Sequence, residues 1–118
     1  MKKNNVTNTQ KTCSLKDVLD IIGGKWAMPI IYNLSKGKMR FSEIERTVEG
    51  INTRMLVKEL KNLEANRIVT REVFATVPPT VEYTLTVKGE KLLPSIRSLH
   101  QWGQEFAAAD LADWQVIG

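Results

Sequence analysis

The chain of 118 residues holds one cysteine, Cys13, and one histidine, His100. These two residue types supply many protein nucleophiles and soft metal ligands, but neither here has a second Cys or His at ligand spacing, so no metal site is expected. There is no GxxxxGK phosphate loop, nucleophile elbow or paired-carboxylate constellation. The residues therefore read as a non-enzyme with no catalytic residue and no cofactor. The lone thiol cannot close an internal disulfide, which suits a reducing cytoplasm. What the sequence does offer is positive charge. The chain has 17 Lys and Arg against 13 Asp and Glu; residues 1–61 carry 12 basic and 6 acidic side chains, and residues 62–118 carry 5 and 7. A basic half suits a polyanion, because each cation set against a phosphate releases a condensed counterion. A solvated charged face is the plainer reading of the same residues.

Helical periodicity concentrates that charge. Asn52 is a favoured N-cap for a helix from Thr53 to about Asn66. Within it Leu56, Leu60 and Leu63 share one face, while Arg54, Lys58 and Lys61 share the opposite one. Upstream, Ser14 with Asp17 forms a capping box for a helix carrying Leu15, Val18, Leu19 and Ile22, ended by Gly23-Gly24. A second helix is expected from about Lys25 to Ser35, burying Trp26, Ile30 and Leu34 and bending at Pro29 in its first turn. Met39–Phe41 reads as a short strand. Ser42 with Glu45 reads as a capping box for a brief third helix holding Ile44 and Val48, which ends near Gly50.

Beyond Arg67 the apolar period changes from 3.6 to 2. Val69, Arg71 and Val73 alternate with Thr70, Glu72 and Phe74; Val81, Tyr83 and Leu85 alternate with Glu82 and Thr84. Two strands follow, joined by the stiff tip Val77-Pro78-Pro79-Thr80. Thr86 then caps a single last helix from Val87 to Ala108. In it Leu92, Ile96, Leu99, Gly103 and Phe106 form a heptad seam, with Gly103 open to a partner backbone and Trp102 adding apolar area.

These elements make one domain over residues 13–108, with helix 87–108 for dimerisation, a flexible tail at 1–12 and an extension at 109–118. The longest apolar stretch, Trp26 to Tyr32, is interrupted by Pro29 and falls far short of the roughly 20 residues that span a bilayer, so no membrane partner is expected. The polar residues 1–12 have no signal-peptide core. Helix, tight link, basic amphipathic helix and hairpin together form an α+β winged helix-turn-helix with a two-stranded wing. In that arrangement the Thr53–Asn66 helix enters the major groove of double-stranded DNA, where an Arg reads guanine with two hydrogen bonds. The competing reading is a protein-interaction module whose basic helix docks on an acidic partner.

Cys13 before Gly23-Gly24-Lys25-Trp26, then Arg40-Phe41-Ser42-Glu43-Ile44, then Met55-Leu56-Val57-Lys58-Glu59-Leu60, then the run from Val77 to Thr86, VPPTVEYTLT, together resemble the HxlR-type winged-helix transcription regulators. The likeness covers roughly Cys13 to Phe106, and the combination in this order is far more specific than any one piece. It implies a bacterial or archaeal homodimer that binds operator DNA and is joined through its first and last helices. Two departures stand out: Thr80 where members often carry a basic tip residue, and Asn52 where they often carry Ser.

The expected DNA contacts are Thr53, Arg54, Val57, Lys58 and Lys61 on the fourth helix, with Arg40 and Ser42 at the third helix start, Lys25, Arg71 on the hairpin and Thr80 at its tip. The expected dimer contacts are Leu92, Ile96, Leu99, Trp102, Gly103 and Phe106. Cys13 reads either as a small apolar side chain or as a reactive thiol, because a helix N-terminus and the nearby Lys11 and Lys16 favour thiolate. The resemblance implies a sensor of oxidants or electrophiles at this position. With one thiol per chain, the available products are an intersubunit disulfide, a mixed disulfide or an alkylated cysteine. A small-molecule effector at the dimer interface is compatible with all of this.

Overall fold

The computed structural model describes residues 13–107. The tail at 1–12, the extension at 109–118 and the predicted helix end at Ala108 lie outside those residues, as do Lys11 and Trp114. Ser14 opens α1 (Leu15–Ile22): its hydroxyl accepts from the Asp17 backbone N–H, and the Asp17 carboxylate accepts from the Ser14 N–H at 3.1 Å. The N–H of Gly23 closes the helix on Leu19 O at 2.7 Å. The second helix, α2 (Ala27–Leu34), begins two residues later than expected. Its ladder starts with the Ile30 N–H on Trp26 O at 3.1 Å, so Pro29 sits among positions that have no intrahelical donor and costs no hydrogen bond.

The short strand is β1 (Met39–Arg40), and Phe41 belongs to the next helix, α3 (Phe41–Thr47). The expected Ser42–Glu45 capping box does not form. The helix starts one residue before Ser42, where the Glu43 carboxylate accepts from the Arg40 N–H at 2.9 Å. Glu45 instead takes a hydrogen bond from the Thr53 hydroxyl, across the turn to α4 (Thr53–Ala65). Asn52 caps α4 as expected, its Oδ1 accepting from the Met55 N–H at 2.9 Å. The helix ends with Arg67 at φ 60°. There the Ile68 N–H bonds Leu63 O at 2.9 Å and the Arg67 N–H bonds Glu64 O at 3.0 Å, a Schellman closure that turns the chain into the sheet.

All three expected strands form, and they join in one sheet, a pairing of the short strand with the hairpin that the sequence did not indicate. β2 (Val69–Phe74) and β3 (Thr80–Leu85) form the hairpin, and β1 pairs antiparallel with the other side of β3, Met39 opposite Tyr83 and Arg40 opposite Glu82. A two-residue strand carries too little alternation to announce a partner; its placement comes from the α2–α3 connection passing beside β3. The single long last helix is also corrected. The chain forms α5 (Val87–Glu90), a break at Lys91-Leu92, then α6 (Leu93–Trp102) and a π-helical turn over Gly103–Ala107. In a continuous helix Pro94 would leave the Glu90 carbonyl without its donor; here Pro94 lies in the first turn of α6, which tolerates it.

The core gathers Ile30, Ile31 and Leu34 of α2, Ile44 of α3, Leu56, Leu60 and Leu63 of α4, Val69, Tyr83 and Leu85 of the sheet, and Leu93 and Ile96 of α6. The Thr86 hydroxyl joins two parts of this frame, accepting from the Gly89 N–H at 3.0 Å and donating to Arg67 O at 2.7 Å. A Cβ on Gly89 would stand 2.3 Å from Ile68 O. Helix propensity alone favours Ala over Gly by about 1 kcal/mol. This clash reverses the sign, so Gly89→Ala is expected to destabilise the fold by about 1–3 kcal/mol in urea or thermal unfolding; unchanged or raised stability would refute the close approach.

Candidate nucleic-acid interface

The outward face of α4 is set by its inward one. Leu56, Leu60 and Leu63 are at most 1% exposed, so the helix has one orientation on the core, and Thr53, Arg54, Val57, Lys58 and Lys61 all face solvent. Val57 places an apolar methyl pair among the cations, the kind of group that contacts a thymine methyl. Thr53 is also tied to Glu45, which holds the first turn of α4 against α3.

Arg40 and Ser42 flank the start of α3, and both are exposed. Arg40 is partly engaged: its Nε lies 4.0 Å from Glu82 Oε2, and Lys38 Nζ lies 3.8 Å from Glu82 Oε1. Exposed pairs of this kind contribute about 1 kcal/mol or less and do not lock either cation in place. Lys38 is a cation that the helical patterning overlooked, because it precedes a strand too short to show a period. Arg71 stands exposed on β2, opposite Tyr83. Arg71 and Lys61 line one cleft between α4 and the sheet, which brings those two expected contacts together.

Thr80 opens β3 at the wing tip, with its Oγ1 3.3 Å from Thr76 Oγ1; the Thr76 hydroxyl donates to Pro78 O at 2.6 Å. Val77 is fully exposed at that tip. Lys25 stands apart from these elements, in the turn between α1 and α2, with its Nζ 5.0 Å from the Trp26 ring centroid in a cation–π contact. Sulfur chemistry is confined to the start of α1. Cys13 is exposed immediately before the Ser14 cap, with its Sγ 3.6 Å from Ser14 O.

The expected dimer seam divides in two. Ile96 is 5% exposed within the core of its own chain and Leu92 is half-buried, so the first turns of the seam are spent on the monomer. Leu99, Trp102 and Phe106 are each more than half exposed. The Trp102 and Phe106 rings lie 6.2 Å apart, and a Cβ on Gly103 would meet nothing within 4 Å. On α1, Leu15 and Leu19 are exposed as well, at 72% and 49%. His100 is exposed on α6, its ring 5.3 Å from that of Tyr32. No group of three His, Cys, Asp or Glu able to hold a metal occurs among the described residues, and none of their helices is long and apolar enough to cross a membrane.

The family model described as HxlR-like helix-turn-helix matches residues 21–111. An HTH-type transcriptional regulator of Methanothermobacter thermautotrophicus is 42% identical over 96 residues, 81% of this chain and 73% of that protein. The HTH-type transcriptional regulator YybR of Bacillus subtilis is 42% identical over 103 residues, 87% of this chain and 82% of that one. Among solved structures, the redox regulator HypR in its oxidized form superposes with a TM-score of 0.74 at 44% identity, covering 79% of this chain and 96% of that one. The reduced form of the transcriptional regulator YodB from B. subtilis superposes at 0.69 with 36% identity, over 81% and 95%. An outward-facing basic face on α4, a three-stranded antiparallel sheet with a projecting hairpin and these likenesses agree: the chain belongs to the HxlR-like helix-turn-helix family of transcriptional regulators.

Proposed function

We propose that the protein works in the cytoplasm as a homodimer on a pseudo-palindromic operator, with α4 in the major groove and the Val77–Thr80 tip on an adjacent minor groove or backbone. The observation that carries this reading is the orientation of α4, whose buried leucines leave Arg54, Lys58 and Lys61 as its outer surface. Half-sites in such a dimer lie about one helical turn, roughly 34 Å, apart. The exposed apolar side chains of α1 and of the chain from Leu99 to Phe106 support a second copy as the partner, since scattered polar contacts would not need Trp102 and Phe106 in water. Exposure of Cys13 at the start of α1, together with the likeness to a redox regulator, supports oxidation or alkylation of that thiol as the signal. The expected DNA contacts stay as assigned, Lys25 being the outlying one.

Binding to a labelled duplex from upstream of the protein's own gene, against a scrambled duplex in physiological salt, tests the DNA reading. A preference of roughly a thousandfold is expected. Weak, equal, salt-sensitive binding to that and to genome-selected duplexes would favour an acidic protein partner instead. Arg54→Ala is expected to cost about 1–3 kcal/mol on the specific duplex and less on the scrambled one; equal losses on both would make Arg54 a phosphate contact. Leu99→Glu is expected to shift the sedimenting species from dimer to monomer, and an unchanged mass would remove Leu99 from the interface. Cys13→Ser is expected to leave DNA binding in reductant intact and abolish its response to diamide or a quinone, whereas a retained response would eliminate the thiol as the sensor.

A further inference from the structure

Between α4 and the sheet lies a cleft of about 390 Å³, within the range of small-ligand sites, about 300–1,000 Å³. Its apolar walls are Phe41, Val57, Val81 and Tyr83, and three charged side chains, Lys61, Glu64 and Arg71, complete its lining. Tyr83 is 7% exposed and Phe41 and Val81 are half-buried, whereas the charged three are exposed and so border the opening. The site is therefore an aromatic and aliphatic floor beneath a charged mouth. Among the described residues, the ion pairs found are Lys38–Glu82 and Arg40–Glu82, and neither Lys61 nor Arg71 is within ion-pair distance of a carboxylate.

We infer that this cleft binds a small, flat aromatic monocarboxylate. The Phe41 and Tyr83 rings favour a planar apolar body, and a guanidinium such as that of Arg71 takes a carboxylate through two parallel hydrogen bonds. Two cations against one carboxylate leave a single positive charge at the mouth. Glu64 thus disfavours a dianion such as a phosphate monoester while leaving a monoanion compensated. An occupant would stand beside Val57 and hold Lys61 and Arg71, side chains that the proposed DNA reading also requires. Ligand and operator then exclude one another, a consequence that rests on that reading, whereas the site itself does not.

Calorimetry on the full chain with 1-naphthoate and its neutral counterpart 1-naphthamide tests the site without DNA. The carboxylate is expected to bind at least about tenfold more tightly than the amide, and Arg71→Gln to remove about that factor. Val81→Trp, which fills the cleft, is expected to abolish binding, while Lys36→Gln, outside the cleft, leaves it unchanged. Because Arg71 is an exposed strand residue, its variant keeps the test valid even where Val81→Trp fails to fold. Equal affinity for acid and amide overturns the inference, as does naphthoate binding that survives Arg71→Gln or falls equally with Lys36→Gln. Saturating naphthoate, but not naphthamide at the same concentration, is then expected to release the specific duplex from the wild type. Retention of the duplex by naphthoate-loaded wild type would overturn the exclusion. A protein that binds no duplex at all would instead sink the DNA reading, with the calorimetry still deciding the cleft.

Discussion

Burial of Leu56, Leu60 and Leu63 is the constraint on which the functional surface depends. Successive helical residues are about 100° apart, so fixing one face against the core fixes every other direction. Each buried leucine contributes about 1.5–3 kcal/mol, and rotating α4 to aim Arg54 or Lys58 elsewhere would expose at least one of them. Neither ion pair found among the described residues competes at that scale: the two cations on Glu82 contribute about 1 kcal/mol or less each. The aim of the basic residues is therefore a by-product of apolar packing, and their charge is free to serve a partner.

The ends of α4 are held as firmly as its middle. Asn52 caps the Met55 N–H in its first turn, the Thr53–Glu45 bond crosses the turn from α3, and the Schellman closure at Arg67 delivers the chain to β2. Part-way along, Asn62 Nδ2 donates to Ile21 O at 3.1 Å, joining α4 to the last turn of α1. The helix bearing the outward cations is thus linked directly to the helix that begins beside Cys13. Pairing of β1 with β3 extends the same rigidity to the base of the wing, so that the tip projects from three strands and not from an isolated hairpin.

Much of this was legible in the residues because it is local. The Asn52 cap, the Ser14–Asp17 box, the two hairpin strands and the two-faced pattern of α4 each declare themselves within a few positions, and each stands in the structure where it was expected, although in β2 the residues from Thr70 to Val73 are all exposed and do not alternate. What escaped depends on competition or on distance. Ser42 and Glu45 match a capping box, but Glu43 reaches the Arg40 N–H first and the Thr53 hydroxyl captures Glu45. The heptad from Leu92 to Phe106 treats its residues as equivalent, yet Pro94 restarts the helix and Ile96 is drawn into the monomer core. The cleft beside Lys61 and Arg71 joins α3, α4, β2 and β3, and no sequence period links residues so far apart.

The sheet order leaves β2 with a neighbour on one side only. A strand edge with free N–H and C=O groups is a template for pairing with other chains, and a wing cannot be covered by a helix if its tip is to project. Thr70, Arg71 and Glu72 all lie exposed along this strand, two of them charged and of opposite sign. A second strand laid against them would have to desolvate both charges. The same residues that make the wing polar therefore act as a guard against edge-to-edge aggregation, and that protection would weaken if Arg71 and Glu72 were both replaced by β-branched apolar residues.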